Sequence, residues 1–370
     1  IPYTEPHRSS IDDEEYSVNE ELYRDVLMYG KGVNCGFDWE GSNSDKEQNT
    51  DHPTWARTNN APKQRAAAFS ANTPDQSTND AYVIYDLSLW SEVSKEEIIA
   101  KLRDIASNYE KWHNGQIAAA ANKVVLEGIL NEQEEFHKRL IDNIDYMDKN
   151  DRAFKCFQIA NTAMYIQMII ARDPKFKKDR DCLEYTSETS IYKDGAWDFF
   201  STRNAEIKYR PFQLAFLLMN IKSTFENNDQ YRNDNVDLIW FPTGGGKTEA
   251  YLALTALTIA ERRTSTDENV SGVSVIMRYT LRLLTAQQFE RASFLICALE
   301  YLRKALLIRK EYGISLGEES ITLGMWIGSA STPNKLNDLE KGKFKDYYAS
   351  VNRGTKPTSN PFPISYCPWC

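Results

Sequence analysis

Between residues 94 and 172 apolar positions recur with the 3.6-residue period of a helix, whereas after residue 235 they gather into short, dense runs. Ser94 followed by Glu96 and Glu97 reads as a capping start, so residues 95–109 are predicted to form a charged amphipathic helix and 117–147 a longer helical region. Residues 154–171 place Phe157, Ala160, Met164 and Met168 on one face, with Ile166 and Ile170 beside it. That stripe reads as a core helix rather than a cofactor box; Asp173 and Pro174 end it, and the basic stretch 175–180 is a solvated turn. Upstream, 81–89 is rich in β-branched and aromatic residues and reads as a strand, and 19–28 is compatible with a helix. Positions 41–80 carry few large apolar side chains. They cannot bury enough surface to offset their ordering entropy, so a long mobile loop or linker is expected there.

The C-terminal pattern is of another kind. An apolar run at 236–241 is predicted as a buried strand, followed by a helix ending in Arg262 and Arg263, a strand at 272–278, a long helix over 280–312 and a strand at 320–327. That order, with right-handed crossovers, is α/β architecture built on a parallel sheet. Between the first strand and its helix stands Pro242-Thr243-Gly244-Gly245-Gly246-Lys247-Thr248. Consecutive glycines permit backbone angles and a close approach that a Cβ forbids, so successive N–H groups can converge on phosphate oxygens at the positive end of the following helix. Gly244, Gly245, Gly246, Lys247, Thr248 and Glu249 are therefore the candidate ATP-binding set, with Lys247 on the β and γ phosphates and the Thr248 hydroxyl on Mg²⁺. Phe241 stands where the general phosphate-loop pattern has its first Gly. The bland alternative is a tight glycine turn with a surface lysine.

Composition narrows the class. A chain of 370 residues, 41% apolar, has length for two or three domains with sizeable cores and no run near the ~18 apolar residues of a membrane span. The net charge of −9 belongs to one end: residues 1–60 hold 5 basic against 13 acidic groups, while 278–356 hold 13 against 8. Whole-chain acidity therefore says little about partners. Six scattered cysteines with no signal peptide read as reduced thiols in a cytoplasmic protein. Cys367 and Cys370 form a Cys-x-x-Cys knuckle that supplies two thiolates to structural Zn²⁺, its other ligands expected elsewhere; a redox pair is the alternative. The chain opens on Ile1 and closes on Cys370, and is read as an excerpt. No repeat of 20–50 residues, HExxH or Ser-His-Asp pattern stands out.

These segments resemble superfamily 2 helicases. Residues 241–250 (FPTGGGKTEA) are similar to their motif I, which tolerates Pro or Ala ahead of TGxGKT and so accounts for the missing first Gly. Residues 209–213 (YRPFQ) resemble an adenine-reading Q motif, in which Gln213 pairs with the adenine edge while Phe212 or Arg210 stacks on the ring; an ordinary helix start is the alternative for Gln213. Residues 278–288 resemble motif Ia, so Arg278, Thr280, Arg282, Thr285 and Gln288 are candidate contacts to a DNA backbone, although both arginines are equally explained as surface charges. Gly328 and Ser329 fall where motifs Ib and Ic would lie. More narrowly, pieces of residues 154–370 are similar to the helicase-like component of the bacterial DISARM phage-defence system.

The resemblance implies the first RecA-like lobe, incomplete, after a mostly α-helical N-terminal region. The division expected is an acidic, partly flexible segment 1–80, a mainly helical domain 81–204, and the lobe with the start of a Cys-x-x-Cys insertion over 205–370. It also implies an ATP-dependent translocase that engages DNA and other DISARM subunits, DrmB foremost, with no membrane. An ATP-binding scaffold that orders a complex without translocating is the alternative. No DE-x-[DH] strand is found, since Asp267 and Glu268 lie in a polar loop, so the chain alone is expected to hold nucleotide without turning it over. The acidic segment could cover the nucleic-acid groove, or simply confer solubility.

Overall fold

The computed structural model describes Val18, Glu21 and residues 35–39, 54–59, 94–120, 124–172, 208–240, 245–265, 272–279, 282–308, 313–326 and 342–357. Two compact units divide the chain, one of Ile1–Ser70 with Ala106–Lys138, the other of Ala71–Ile105 with Arg139–Cys370. The strand predicted at 81–89 lies outside the described residues, as does most of the helix predicted at 19–28.

In the first unit β1 (Gly36–Trp39) pairs antiparallel with β2 (Ala56–Asn59), Gly36 opposite Asn59 and Trp39 opposite Ala56. β2 falls inside the stretch expected to be a loop. Its few residues gain order from the ladder and from Arg57, whose guanidinium stands 5.2 Å over the Trp55 ring, contacts that composition does not reveal. The unit also takes the distal parts of α1 (Lys95–Ala119) and α2 (Glu127–Lys149), where the Tyr109 ring lies 4.8 Å from Phe136 and 5.4 Å from Trp112. Burial there pushes the Tyr109 phenol up to about 12.

The second unit is built on α3 (Asp151–Arg172). Ser94 caps α1 by accepting the Glu97 N–H at 3.2 Å, and Asn150 Oδ1 accepts the Ala153 N–H at 3.0 Å to open α3. Phe157, Ala160, Met164 and Met168 are buried as the periodicity predicts, and so are Cys156, Ile159, Ala163 and Ile166, so α3 is enclosed on more than one side. α4 (Pro211–Met219), with proline at its first turn, is followed by the short α5 (Ile221–Phe225) and α6 (Gln230–Asn233). α7 (Lys247–Thr264) packs on α3 and α4, α8 (Arg282–Ile308) packs on α3 and touches α7, and α9 (Gly342–Asn352) follows. Of the cysteines described, Cys35 and Cys156 are free thiols, and burial raises the Cys156 thiol to about 11.

Among the described residues the expected parallel sheet, and with it the RecA-like lobe, is not seen. Among the described residues, 235–240, 272–279 and 320–326 are neither helix nor strand, and the only sheet is the β1–β2 pair. Helix side chains occupy backbone groups that a ladder would need. The Arg262 guanidinium donates to the Val273 carbonyl at 2.8 Å, Arg263 donates to the Glu319 and Ser320 carbonyls at 3.0 Å each, and the Glu300 carboxylate accepts the Ile321 N–H. Asp237, the one charge in the first apolar run, is gripped by buried Arg139 through two bonds of 2.6 and 3.0 Å. Its apolar neighbours Val236, Leu238 and Trp240 are 96%, 78% and 84% exposed. A strand is a relation between segments, and these segments are held by helices instead.

Candidate functional site

The glycine turn survives without the strand. Gly246 precedes α7 with φ +89 and ψ 23, the left-handed region, and a Cβ built there would stand 2.7 Å from Gln213 Nε2. Only glycine fits. The turn is held from α4: Arg210 donates from its guanidinium to the Gly245 carbonyl, and Gln213 Nε2 donates to the Gly246 carbonyl, both at 2.7 Å. Gln213 Oε1 in turn accepts the Arg210 N–H at 2.7 Å. The Gln213 amide is 3% exposed, and these bonds use one of its two N–H donors and one of its two carbonyl lone pairs. Phe212 is half-buried beside it and Arg210 is exposed.

The first turn of α7 carries Lys247, half-buried, then Thr248 and Glu249, both buried. Its N–H groups lack intrahelical acceptors by construction, and the helix dipole adds positive potential at this end. Glu249 is ion-paired with Arg291 on α8. Without that partner the carboxylate would oppose any anion at the turn. Burial above all, and next the Glu249 charge, push the Tyr209 phenol far above the ordinary tyrosine range.

Three residues here have no counterpart among those singled out from sequence. The Tyr251 hydroxyl, one turn beyond Thr248, donates to Thr248 Oγ1 at 2.9 Å and faces Gln288 Oε1 on α8 at 3.4 Å. Tyr279 hydrogen-bonds Tyr251; its own phenol is raised first by burial and then by that bond. Arg291 lies one turn after Gln288. The i to i+3 spacing puts Tyr251 beside Thr248 and Arg291 beside Gln288, but it does not tell that the two helices meet, and nothing in the sequence marks Tyr279.

Of the candidate DNA contacts, Arg278 is exposed, Arg282 opens α8, Thr285 lies within α8, and Gln288 is turned to Tyr251. Gly244, Thr280, Gly328, Ser329, Cys367 and Cys370 lie outside the described residues. Among the described residues no group of three or more His, Cys, Asp or Glu could hold a metal ion, and no helix is long and apolar enough to cross a membrane. A polar cavity of about 460 Å³ opens at the far end of α7, but its guanidinia are already engaged, Arg152 with Glu261 and Arg232 with the Ser223 and Thr224 carbonyls.

No family model matches the chain. Over 337 residues it is 31% identical to the DISARM protein DrmA of Bacillus paralicheniformis, an alignment covering 88% of this chain and 27% of that protein. The chain thus spans about a quarter of the length of the curated relative it matches.

Proposed function

We propose, for a chain that is DrmA-like along most of its length, that it is the nucleotide-binding part of an ATP-dependent DNA translocase or helicase subunit serving a bacterial phage-defence complex. The observation that carries this reading is the left-handed Gly246 turn, fixed by Arg210 and Gln213 at the start of an 18-residue helix whose first residues are Lys247 and Thr248. A cradle that excludes a Cβ and presents a helix N-terminus suits a chain of phosphates.

Each residue has work that follows from its chemistry. Lys247 supplies a flexible point charge for the terminal phosphates, and the freed N–H groups of the first turn supply donors. Thr248 Oγ1 is the oxygen that would hold Mg²⁺, which when bound neutralises charge on the phosphates. Arg291 keeps Glu249 neutralised, so the mouth of the turn remains electropositive. Arg210 and Gln213 hold the glycine carbonyls away from the phosphates, which a carbonyl dipole would repel. Arg278, Arg282 and Gln288 supply the donors suited to a DNA backbone, and the partners of the assembly are other DISARM subunits.

In the full-length protein, Lys247→Ala is expected to weaken a fluorescent non-hydrolysable ATP analogue by about tenfold or more, with thermal unfolding unchanged and DNA-stimulated hydrolysis lost. Undiminished analogue affinity defeats the reading. Nucleotide binding that ignores DNA would favour the scaffold role instead.

A further inference from the structure

Tyr251 has one phenolic proton and two acceptors within reach. Thr248 Oγ1 is the nearer at 2.9 Å; Gln288 Oε1, on the other helix, is at 3.4 Å. One proton cannot serve both well, so its position is a choice between them. Their surroundings are fixed. The Glu249–Arg291 ion pair ties the first turn of α7 to α8 one turn beyond Gln288, and Tyr279 hydrogen-bonds the Tyr251 oxygen from a third segment. With both helices pinned, the soft coordinate at this junction is the rotation of a hydroxyl and of an amide.

The choice depends on what Thr248 is doing. Its oxygen accepts the Tyr251 proton. When that oxygen gives a lone pair to a divalent cation it becomes a poor acceptor and a better donor. The Tyr251 proton is then better placed on Gln288 Oε1.

We propose that Tyr251 is a positioning residue that couples occupation of Thr248 to the side-chain amide of Gln288, and through it to a nucleic-acid strand on α8. This rests on the reading of Thr248 as the magnesium ligand of a bound nucleoside triphosphate. It adds a link between two ligand sites, carried by a residue that contacts neither phosphate nor DNA. Coupling of this kind is reciprocal: whatever factor DNA adds to nucleotide affinity, nucleotide adds to DNA affinity.

The test uses the full-length protein, a fluorescent non-hydrolysable ATP analogue and a DNA oligonucleotide, with analogue affinity measured with and without DNA, in Mg²⁺ and in EDTA. The unmutated protein should bind the analogue about five-fold or more tightly with DNA, in Mg²⁺ only. Tyr251→Phe keeps the ring and removes the hydroxyl. Its separate affinities for analogue and DNA should stay within about threefold, while the factor between them falls to nearly one, as in EDTA. A packing defect would persist in EDTA and would not distinguish the two conditions. Gln288→Ala also removes a proposed DNA contact, so it is measured at DNA concentrations that restore saturation; should Tyr251→Phe fail to fold, it must abolish the factor there, and the double variant must be no worse than either single one. Coupling undiminished in either variant overturns the proposal, as does an unmutated protein that binds both ligands without coupling. An unmutated protein that binds no analogue at all overturns the nucleotide reading itself, and this inference with it.

Discussion

Gly246 shows how much a single position decides. Its φ of +89 and the 2.7 Å approach of Gln213 Nε2 to where a Cβ would lie make alanine doubly unwelcome. Backbone strain in the left-handed region costs about 1–2 kcal/mol and the displaced Gln213 bond about 1 more. Gly246→Ala is therefore expected to lower unfolding free energy by roughly 2–3 kcal/mol in urea titration and to weaken nucleotide binding. A change below about 0.5 kcal/mol would show that the turn is not held as described. The turn at Gly246 and the helix that starts at Lys247 were legible because the signal is local: few residue types tolerate that conformation, and the helix follows at once. Tyr251, Tyr279 and Arg291 were not, because their meaning depends on which helix α7 lies against, and no spacing within one segment tells that.

At the scale of elements, helices carry their own evidence and strands do not. The Ser94 cap and the stripe Phe157, Ala160, Met164, Met168 announced α1 and α3 because helix hydrogen bonds close within the segment. The runs at 236–241, 272–278 and 320–327 had strand composition, yet strand hydrogen bonds must be met by a neighbour. Here Arg262, Arg263 and Glu300 from helices take backbone groups of the second and third runs, and Arg139 holds the Asp237 side chain in the first. Arg139 makes the point energetically. It is 8% exposed, forks onto Asp237, donates to the Met219 carbonyl and Asn220 Oδ1, and lies 4.2 Å over the Tyr231 ring, so it binds α2 to the end of α4 and to α6. Asp237→Ala strands that guanidinium in the interior and should cost about 3–5 kcal/mol. Replacing both, Arg139→Met with Asp237→Ala, should cost less than the sum of the two single changes, because no buried charge is left unpaired. Chemical denaturation of the four-member cycle measures the difference; additive losses would contradict the pairing.

For the molecule as a whole, the question is where apolar surface goes. In the second unit the enclosed helix α3 takes the burial, while Trp240 and Trp326, at 84% and 101% exposed, stay in water with Val236, Leu238 and Ile276. A buried central sheet would reverse that distribution. The two arrangements give opposite expectations for one substitution. A tryptophan in a sheet core loses about 3–5 kcal/mol when truncated, whereas a solvated one loses under about 0.5. Trp240→Ser and Trp326→Ser are therefore expected to leave the unfolding midpoint nearly unchanged. Each should remove a fluorescence component that acrylamide quenches freely in the folded protein, and reduce binding of an apolar dye. A loss of several kcal/mol with a quencher-protected indole would mean that these segments bury their side chains after all. The same measurement on Tyr165, fully buried in α3, provides the internal contrast, since Tyr165→Ala must be severely destabilising in either arrangement. Only the exposed pair discriminates, because only there does the burial inferred from composition differ from the burial that the helices leave available.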